Sequence, residues 1–241
     1  MERIVKGYVL RLVPYKESNS IVTILTEAGI ESFMARGVMK PTSKNAASCQ
    51  LYTYGEYQLN YKTEGSHHTL SSGVALKTLT QLYENVRYSV VLGLISECIL
   101  KNDDFEEPYL VFDTVFKHLS SGNCNFATII AIVLKLNSLY SGCNLEADGC
   151  VRCGSSKSIY SVSYNEGGLI CASCARELHI YEKSPAYIKN FRYVVKAEIE
   201  HINKFEIDPV VSKSIISDLF DFLEKNAGIY FKSKSMILYL I

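Results

Sequence analysis

Cys150-Val151-Arg152-Cys153-Gly154 and Gly167-Gly168-Leu169-Ile170-Cys171-Ala172-Ser173-Cys174 hold two Cys-x-x-Cys pairs with seventeen residues between them. Two tight loops at this spacing can each offer two thiolates to one tetrahedral metal ion, and zinc is the metal that such a four-sulfur set suits. A redox dithiol needs only one pair. The glycines beside the knuckles give the backbone room to fold back. Four thiolates fill the coordination sphere, so Cys150, Cys153, Cys171 and Cys174 point to structural zinc and leave no open position for a substrate or an activated water. His179, five residues after Cys174, is a weaker ligand than any of the four.

Outward from this segment, the sequence is helical on both sides. Pro108 opens a helix with Val111, Phe112, Val115, Phe116 and Leu119 inside and Gly122 as its stop. Residues 126–140 form a second, apolar over much of its circumference and closed by Gly142, as expected for the middle of a bundle. After the cysteines, Ser184-Pro185 and Asp208-Pro209 each combine a capping side chain with a proline at the first helical position, and Gly228 closes the last long helix. Between the knuckles, residues 159–164 alternate like a hairpin strand. A further stripe, Leu76, Leu79, Leu82, Val86 and Val90 through Leu94 and Ile99, reads as a helix beginning after Gly73 and ending at the polar residues 101–104.

The first eighty residues read differently. Short β-branched or aromatic runs at 4–5, 8–10, 20–25, 31–35 and 52–61 are separated by turn residues. About five such strands suit a small OB-type barrel, with an SH3-like barrel or an open meander built from the same ingredients. The fold class expected is therefore α+β, an OB-type β-barrel over residues 1–80 and a helical domain over 81–241 with the zinc segment at 150–174. Tyr52, Tyr54, Tyr57 and Tyr61 could stack nucleobases, although aromatics at alternate strand positions more often pack half-buried.

The net charge is zero, but the distribution is uneven. Residues 1–80 hold nine basic and six acidic side chains, a net of +3, whereas residues 81–149 hold four and nine, a net of −5. No acidic residue lies between Glu31 and Glu56, where Arg36, Lys40 and Lys44 recur every four residues. Such an uncompensated stretch can meet phosphates or face solvent. The charged N-terminus and apolar runs too short for a bilayer predict a soluble, cytoplasmic protein without membrane partners. Cys49, Cys98, Cys124 and Cys143 are scattered, as buried free thiols would be.

Catalytic sequences are missing. The chain has no phosphate loop, no Gly-x-Gly-x-x-Gly, no nucleophile elbow and no His-Glu-x-x-His, and none of His67, His68, His118, His179 or His201 stands two residues before a glutamate. No enzymatic activity is expected, and a zinc hydrolase would need an open metal site.

Barrel, helices and knuckle in this order resemble the bacterial RecO family. The likeness is carried by Lys6-Gly7-Tyr8-Val9-Leu10-Arg11, Tyr15-Lys16-Glu17-Ser18-Asn19, Ile21-Val22-Thr23-Ile24-Leu25-Thr26 and Gly29. Ala35-Arg36-Gly37, Lys40-Pro41 and Ser43-Lys44 resemble that family's basic loop, and Gln50-Leu51 its following strand. Gly142, Glu146, Asp148 and the cysteine segment resemble its zinc region, and Lys232-Ser233-Lys234-Ser235 the end of its chain. Met39 and Thr42 stand where further basic residues are usual, and Asn19 where an aspartate is usual.

The resemblance implies a DNA repair and recombination mediator, associated with the nucleoid, that binds single-stranded and double-stranded DNA and anneals complementary strands. It further implies recombinase loading together with RecR and the single-stranded-DNA-binding protein. Arg36, Lys40 and Lys44 are the expected phosphate contacts, with Arg11 a weaker candidate. A zinc-stabilised scaffold that recruits protein partners without touching nucleic acid is the alternative reading.

Overall fold

The computed structural model describes residues 2–61 and 68–241, so Met1 and His67 lie outside the described residues. The chain divides into two compact units, Met1–Val86 with Glu107–Asp113, and Arg87–Glu106 with Thr114–Ile241.

In the first unit, strands β1 (Glu2–Tyr15), β2 (Asn19–Thr26), β3 (Gly29–Ala35), β4 (Tyr54–Asn60) and β5 (His68–Lys77) form a closed barrel in the order β1-β2-β3-β5-β4. This is the OB-type barrel that the sequence predicts. β1 pairs with β4 along Glu2 to Tyr8 and with β2 along Tyr8 to Tyr15, with a bulge between Val9 and Arg11. Gly7 sits at that changeover, where a Cβ would run into the Leu25 carbonyl. A short parallel pairing, Phe33 with His68 and Met34 with Thr69, closes the ring. Inward-facing Val5, Val9, Val22, Ile24, Phe33 and Tyr57 fill it, and the Phe33 and Tyr57 rings lie 5.3 Å apart.

Two sequence readings are corrected here. The runs at 4–5 and 8–10 belong to one strand, β1, because Lys6 and Gly7 continue the ladder opposite Glu56 and Gly55. The stripe from Leu76 is not helical at its start: residues 68–77 are β5, and helix α1 begins only at Val86. Ser71-Ser72-Gly73 looks like a turn, yet Gly73 is where β5 crosses closest to the inside, with Ser48 and Tyr57 occupying the space of a Cβ.

On the outer side of β1, the Tyr8 ring packs 5.0 Å from Phe112 and 4.7 Å from Tyr54, and its hydroxyl donates to Asp113 at 2.6 Å. Burial, reinforced by that carboxylate, pushes the Tyr8 phenol well above its ordinary pKa. Phe112 and Asp113 come from the first half of α2 (Pro108–Ser120), so this helix supplies part of the barrel unit's packing.

In the second unit, α1 (Val86–Lys101), α3 (Phe126–Tyr140), α5 (Pro185–Lys196) and α6 (Pro209–Asn226) are the main helices. α3 is buried at every position from Thr128 to Ser138 and packs against α5 and α6, which explains its all-round apolar sequence. Caps form as their residues predict: the Ser184 hydroxyl accepts from the Tyr187 N–H at 3.2 Å, and the Asp208 carboxylate from the Val210 N–H at 2.9 Å. Glu97 on α1 accepts from the Lys232 and Ser233 N–H groups and from the Ser233 hydroxyl, while Lys234 in α7 (Lys234–Leu240) pairs with Asp221 and Glu224. The Lys-Ser tail thus anchors the last helix. Among the described residues, no helix is long and apolar enough to cross a membrane.

The segment from Arg36 to Thr53 is a run of turns, with Gln50-Leu51 inside it and not in a strand, because β4 begins at Tyr54. It is nevertheless held at both ends. The Gly37 N–H donates to the Asn19 side-chain carbonyl at 2.9 Å and the Met39 N–H to the Ser18 carbonyl at 3.0 Å. Further on, the Asn45 side chain accepts from the Gly73 N–H at 3.1 Å, and the Tyr57 hydroxyl donates to the Ser48 carbonyl at 2.7 Å. Val38 and Cys49 enter the barrel core. Asn19 is therefore the clamp on the first turn of this segment. Asn19→Ala should cost about 1 kcal/mol and raise tryptic cleavage after Arg36 and Lys44, whereas Asn19→Asp, which keeps an acceptor, should not. Equal cleavage of all three proteins would contradict the clamp.

Candidate functional site

The first knuckle is a tight turn: the Gly154 N–H donates to the Cys150 carbonyl at 2.8 Å, and Gly154 has φ +73°, which favours glycine. The second pair sits on a hairpin of β6 (Ile159–Ser163) and β7 (Gly168–Cys171), with Cys171 at the end of β7 and Cys174 in the first turn of α4 (Ala172–Glu177). Gly168 lets residue 146 run alongside β7; a Cβ there would meet the Glu146 carbonyl and the Val151 side chain. Across this approach the Leu169 N–H donates to the Glu146 carbonyl at 3.2 Å and the Glu146 N–H to the Gly167 carbonyl at 2.8 Å, and the Val151 N–H reaches the Leu169 carbonyl at 2.9 Å.

These contacts bring all four sulfurs within 4.8 Å of one another. The Cys153 and Cys171 sulfurs are 3.7 Å apart. Metal–sulfur bonds of about 2.3 Å at tetrahedral angles place sulfurs roughly 3.8 Å apart, so the donor set fits a single ion. The thiols are electrostatically unlike. The Ser173 hydroxyl, 3.1 Å away, and the Cys174 N–H hold Cys171 down to about 6, while the hydrogen bond to Cys171, together with burial, raises Cys174 to about 12. Burial works against the Cys150 thiolate, but the N–H groups of Cys171, Cys153 and Arg152 outweigh it and lower its pKa. Without an ion the cluster must share protons; a cation removes that conflict and takes up the thiolates. Ile170 and Ala175 are buried against the sulfurs, with Ile159 and Leu178 partly so. His179 is outside the cluster.

Of the remaining cysteines, Cys49 and Cys98 are buried, whereas Cys124 is exposed and Cys143 half-buried, so the buried-thiol expectation holds for two of four.

Arg36, Lys40 and Lys44 are all exposed on the clamped turns after β3, and among the described residues none forms an ion pair. Their four-residue spacing is not helical, because the Lys40 and Ser43 N–H groups close successive three-residue turns onto Gly37 and Lys40. Arg11 is exposed as well, but it does not join them. It lies opposite Thr23, itself opposite Ser32, whereas Arg36 follows the row Pro14, Ser20 and Ala35, three residues further along. Lys16, which the charge reading passed over, stands on the β1–β2 turn whose Ser18 and Asn19 hold Met39 and Gly37. Its signal is the segment Tyr15-Lys16-Glu17-Ser18-Asn19.

The tyrosines do not form a stacking platform. Tyr57 is fully buried in the barrel, burial raises the Tyr52 pKa, the Tyr54 ring lies 4.7 Å from the Tyr8 ring, and the Tyr61 ring lies 3.9 Å from His68, tilted at 45°.

Residues 1–79 match the family model "Recombination protein O N terminal", and residues 83–235 match "Recombination protein O C terminal". Among curated relatives, the DNA repair protein RecO of Bacillus pumilus is 27% identical over 239 residues, covering 96% of this chain and 92% of the relative. The DNA repair protein RecO of Bacillus subtilis is 28% identical over 241 residues, with the same coverage. That of Ligilactobacillus salivarius is 27% identical over 237 residues, covering 92% of this chain and 88% of the relative. The OB-type barrel matches the N-terminal model and the helices with their four-cysteine cluster the C-terminal one, in that order and over nearly the whole chain, and on this ground the chain belongs to the RecO family of DNA repair proteins.

Proposed function

We propose that this protein is a non-enzymatic mediator of DNA repair and recombination that binds single-stranded and double-stranded DNA and anneals complementary strands. In this reading it acts in the cytoplasm on nucleoid DNA, with RecR and the single-stranded-DNA-binding protein as partners in recombinase loading. The observation that carries it is the triad Arg36, Lys40 and Lys44, exposed and, among the described residues, without ion pairs on turns clamped to a closed barrel. Annealing requires the repulsion between two phosphate backbones to fall without tight sequence readout. Cations on a held but irregular segment supply that without nucleotide hydrolysis; Lys16 on the β1–β2 turn adds to them, while Arg11 on β1 would be a separate contact. The four-sulfur cluster fits zinc, which would fix the fold of residues 150–174 and leave the chemistry of DNA untouched.

Replacing Arg36, Lys40 and Lys44 by alanine should weaken binding to fluorescent single-stranded DNA and flatten the salt dependence by about two units, at roughly 0.7 per contact, with circular dichroism unchanged. An unaltered slope and affinity would return these residues to solvent and favour the scaffold reading.

Protein purified without chelator should hold one zinc ion per chain by elemental analysis, and the double variant Cys150→Ser/Cys171→Ser should lose both the metal and thermal stability. A metal-free protein, or a variant as stable as the parent, would overturn the zinc assignment.

A further inference from the structure

We infer that the exposed face of α5 is a second strand-binding surface, which takes the sugar-phosphate backbone of a single nucleic-acid strand; this rests on the annealing reading above. Helix α5 buries Tyr187, Asn190, Phe191 and Val194 and presents Lys189, Arg192, Tyr193 and Lys196 outward, one turn apart. Two open hollows of about 700 and 500 Å³ flank this row and share Ser156, Arg192 and Tyr193, so they form one groove along the helix. Residues 199–205 extend it and contribute Lys204 and Phe205.

Five Lys or Arg side chains line the groove, against two acids, Asp148 and Glu182. Lys183 is committed to Asp218 at 2.9 Å. Lys196 pairs with Asp148, but both side chains are more than half exposed, and such a pair is worth at most about 1 kcal/mol, so a phosphate can displace the carboxylate. Arg192 is different. Its Nε is buried without a hydrogen-bond partner and its guanidinium forms no ion pair among the described residues, although buried donors are ordinarily satisfied. An anion entering the groove supplies the missing acceptor, and the planar fork suits a phosphate.

Aromatic rings stand beside the cations. Tyr193 is 45% exposed, its ring lies 5.5 Å from Phe205, and the Lys189 ammonium lies 5.7 Å from it. Cations spaced by one helical turn next to an accessible ring are the elements that hold a single strand without sequence readout. Annealing needs two strands held at once; the turns after β3 offer one surface, and this groove offers the other.

The full-length, metal-loaded protein is titrated with a fluorescent thymidine oligonucleotide, alongside Lys189→Ala/Arg192→Ala/Lys204→Ala and the triple alanine variant of the barrel loop. The parent should bind two oligonucleotides and the α5 variant one, with annealing at least tenfold slower and the salt slope lower by about two units. Hydrogen exchange on the parent protein reads the groove without any substitution. Oligonucleotide-dependent protection of residues 185–205 is the expected result, and it holds whether or not strands anneal. Protection confined to residues 36–53, or an α5 variant that binds and anneals like the parent, overturns the inference and leaves the barrel reading intact. Protection of 185–205 by a polyglutamate peptide but not by the oligonucleotide overturns it in favour of an acidic protein partner.

Discussion

In a closed barrel every strand pairs on both edges, and the longest strand here, β1, does so with a different partner for each half. Its first half pairs with β4 and its second with β2, with Gly7 and the bulge at Arg11 absorbing the change of direction. Everything in the barrel unit follows from that strand. The turn after it presents Ser18 and Asn19 to the segment beyond β3, and its Val9 backbone pairs with both Tyr52 and Thr53 at the far end of the same segment. The basic turns are thereby stretched across a rigid closed wall instead of hanging from a flexible tether.

The same economy governs the second unit, where backbone approach, not side-chain bulk, assembles the cysteines. Gly168 admits residue 146, Gly154 turns the first knuckle, and the β6–β7 hairpin carries Cys171 to the start of α4. Four thiols brought this close repel one another as they ionise, so the cluster is stable as a metal site and strained as a set of free thiols. A metal held by this closed donor set would have no open position, so its work would be to hold a shape.

Much of this was legible in residue order. Proline, capping side chain and glycine mark α2, α3, α5 and α6 because these signals are local, and the cysteine spacing needs no tertiary information. β5 escaped because Leu76, and Leu79 just after it, fall on the helical stripe of α1, and only the neighbouring Ser48 and Tyr57 side chains show why a glycine belongs at 73. Tyr57 itself, a candidate for base stacking by pattern, is a core residue because β4 faces inward at alternate positions. Asn19 carried no evident role in the sequence, since its partner Gly37 is eighteen residues away. The α5 row stands in the sequence as well, since no acid lies between Glu182 and Glu198, but only the fold brings Lys204 and Phe205 to it.

In the function proposed, charge neutralisation on these surfaces brings two strands together without an energy source. The direct measurement is the rate at which complementary oligonucleotides, each coated with the cognate single-stranded-DNA-binding protein, pair in buffer free of ATP. The protein should accelerate pairing, and added salt should suppress the acceleration. Coated strands that pair no faster with the protein than without it, while the protein still binds RecR, would contradict it.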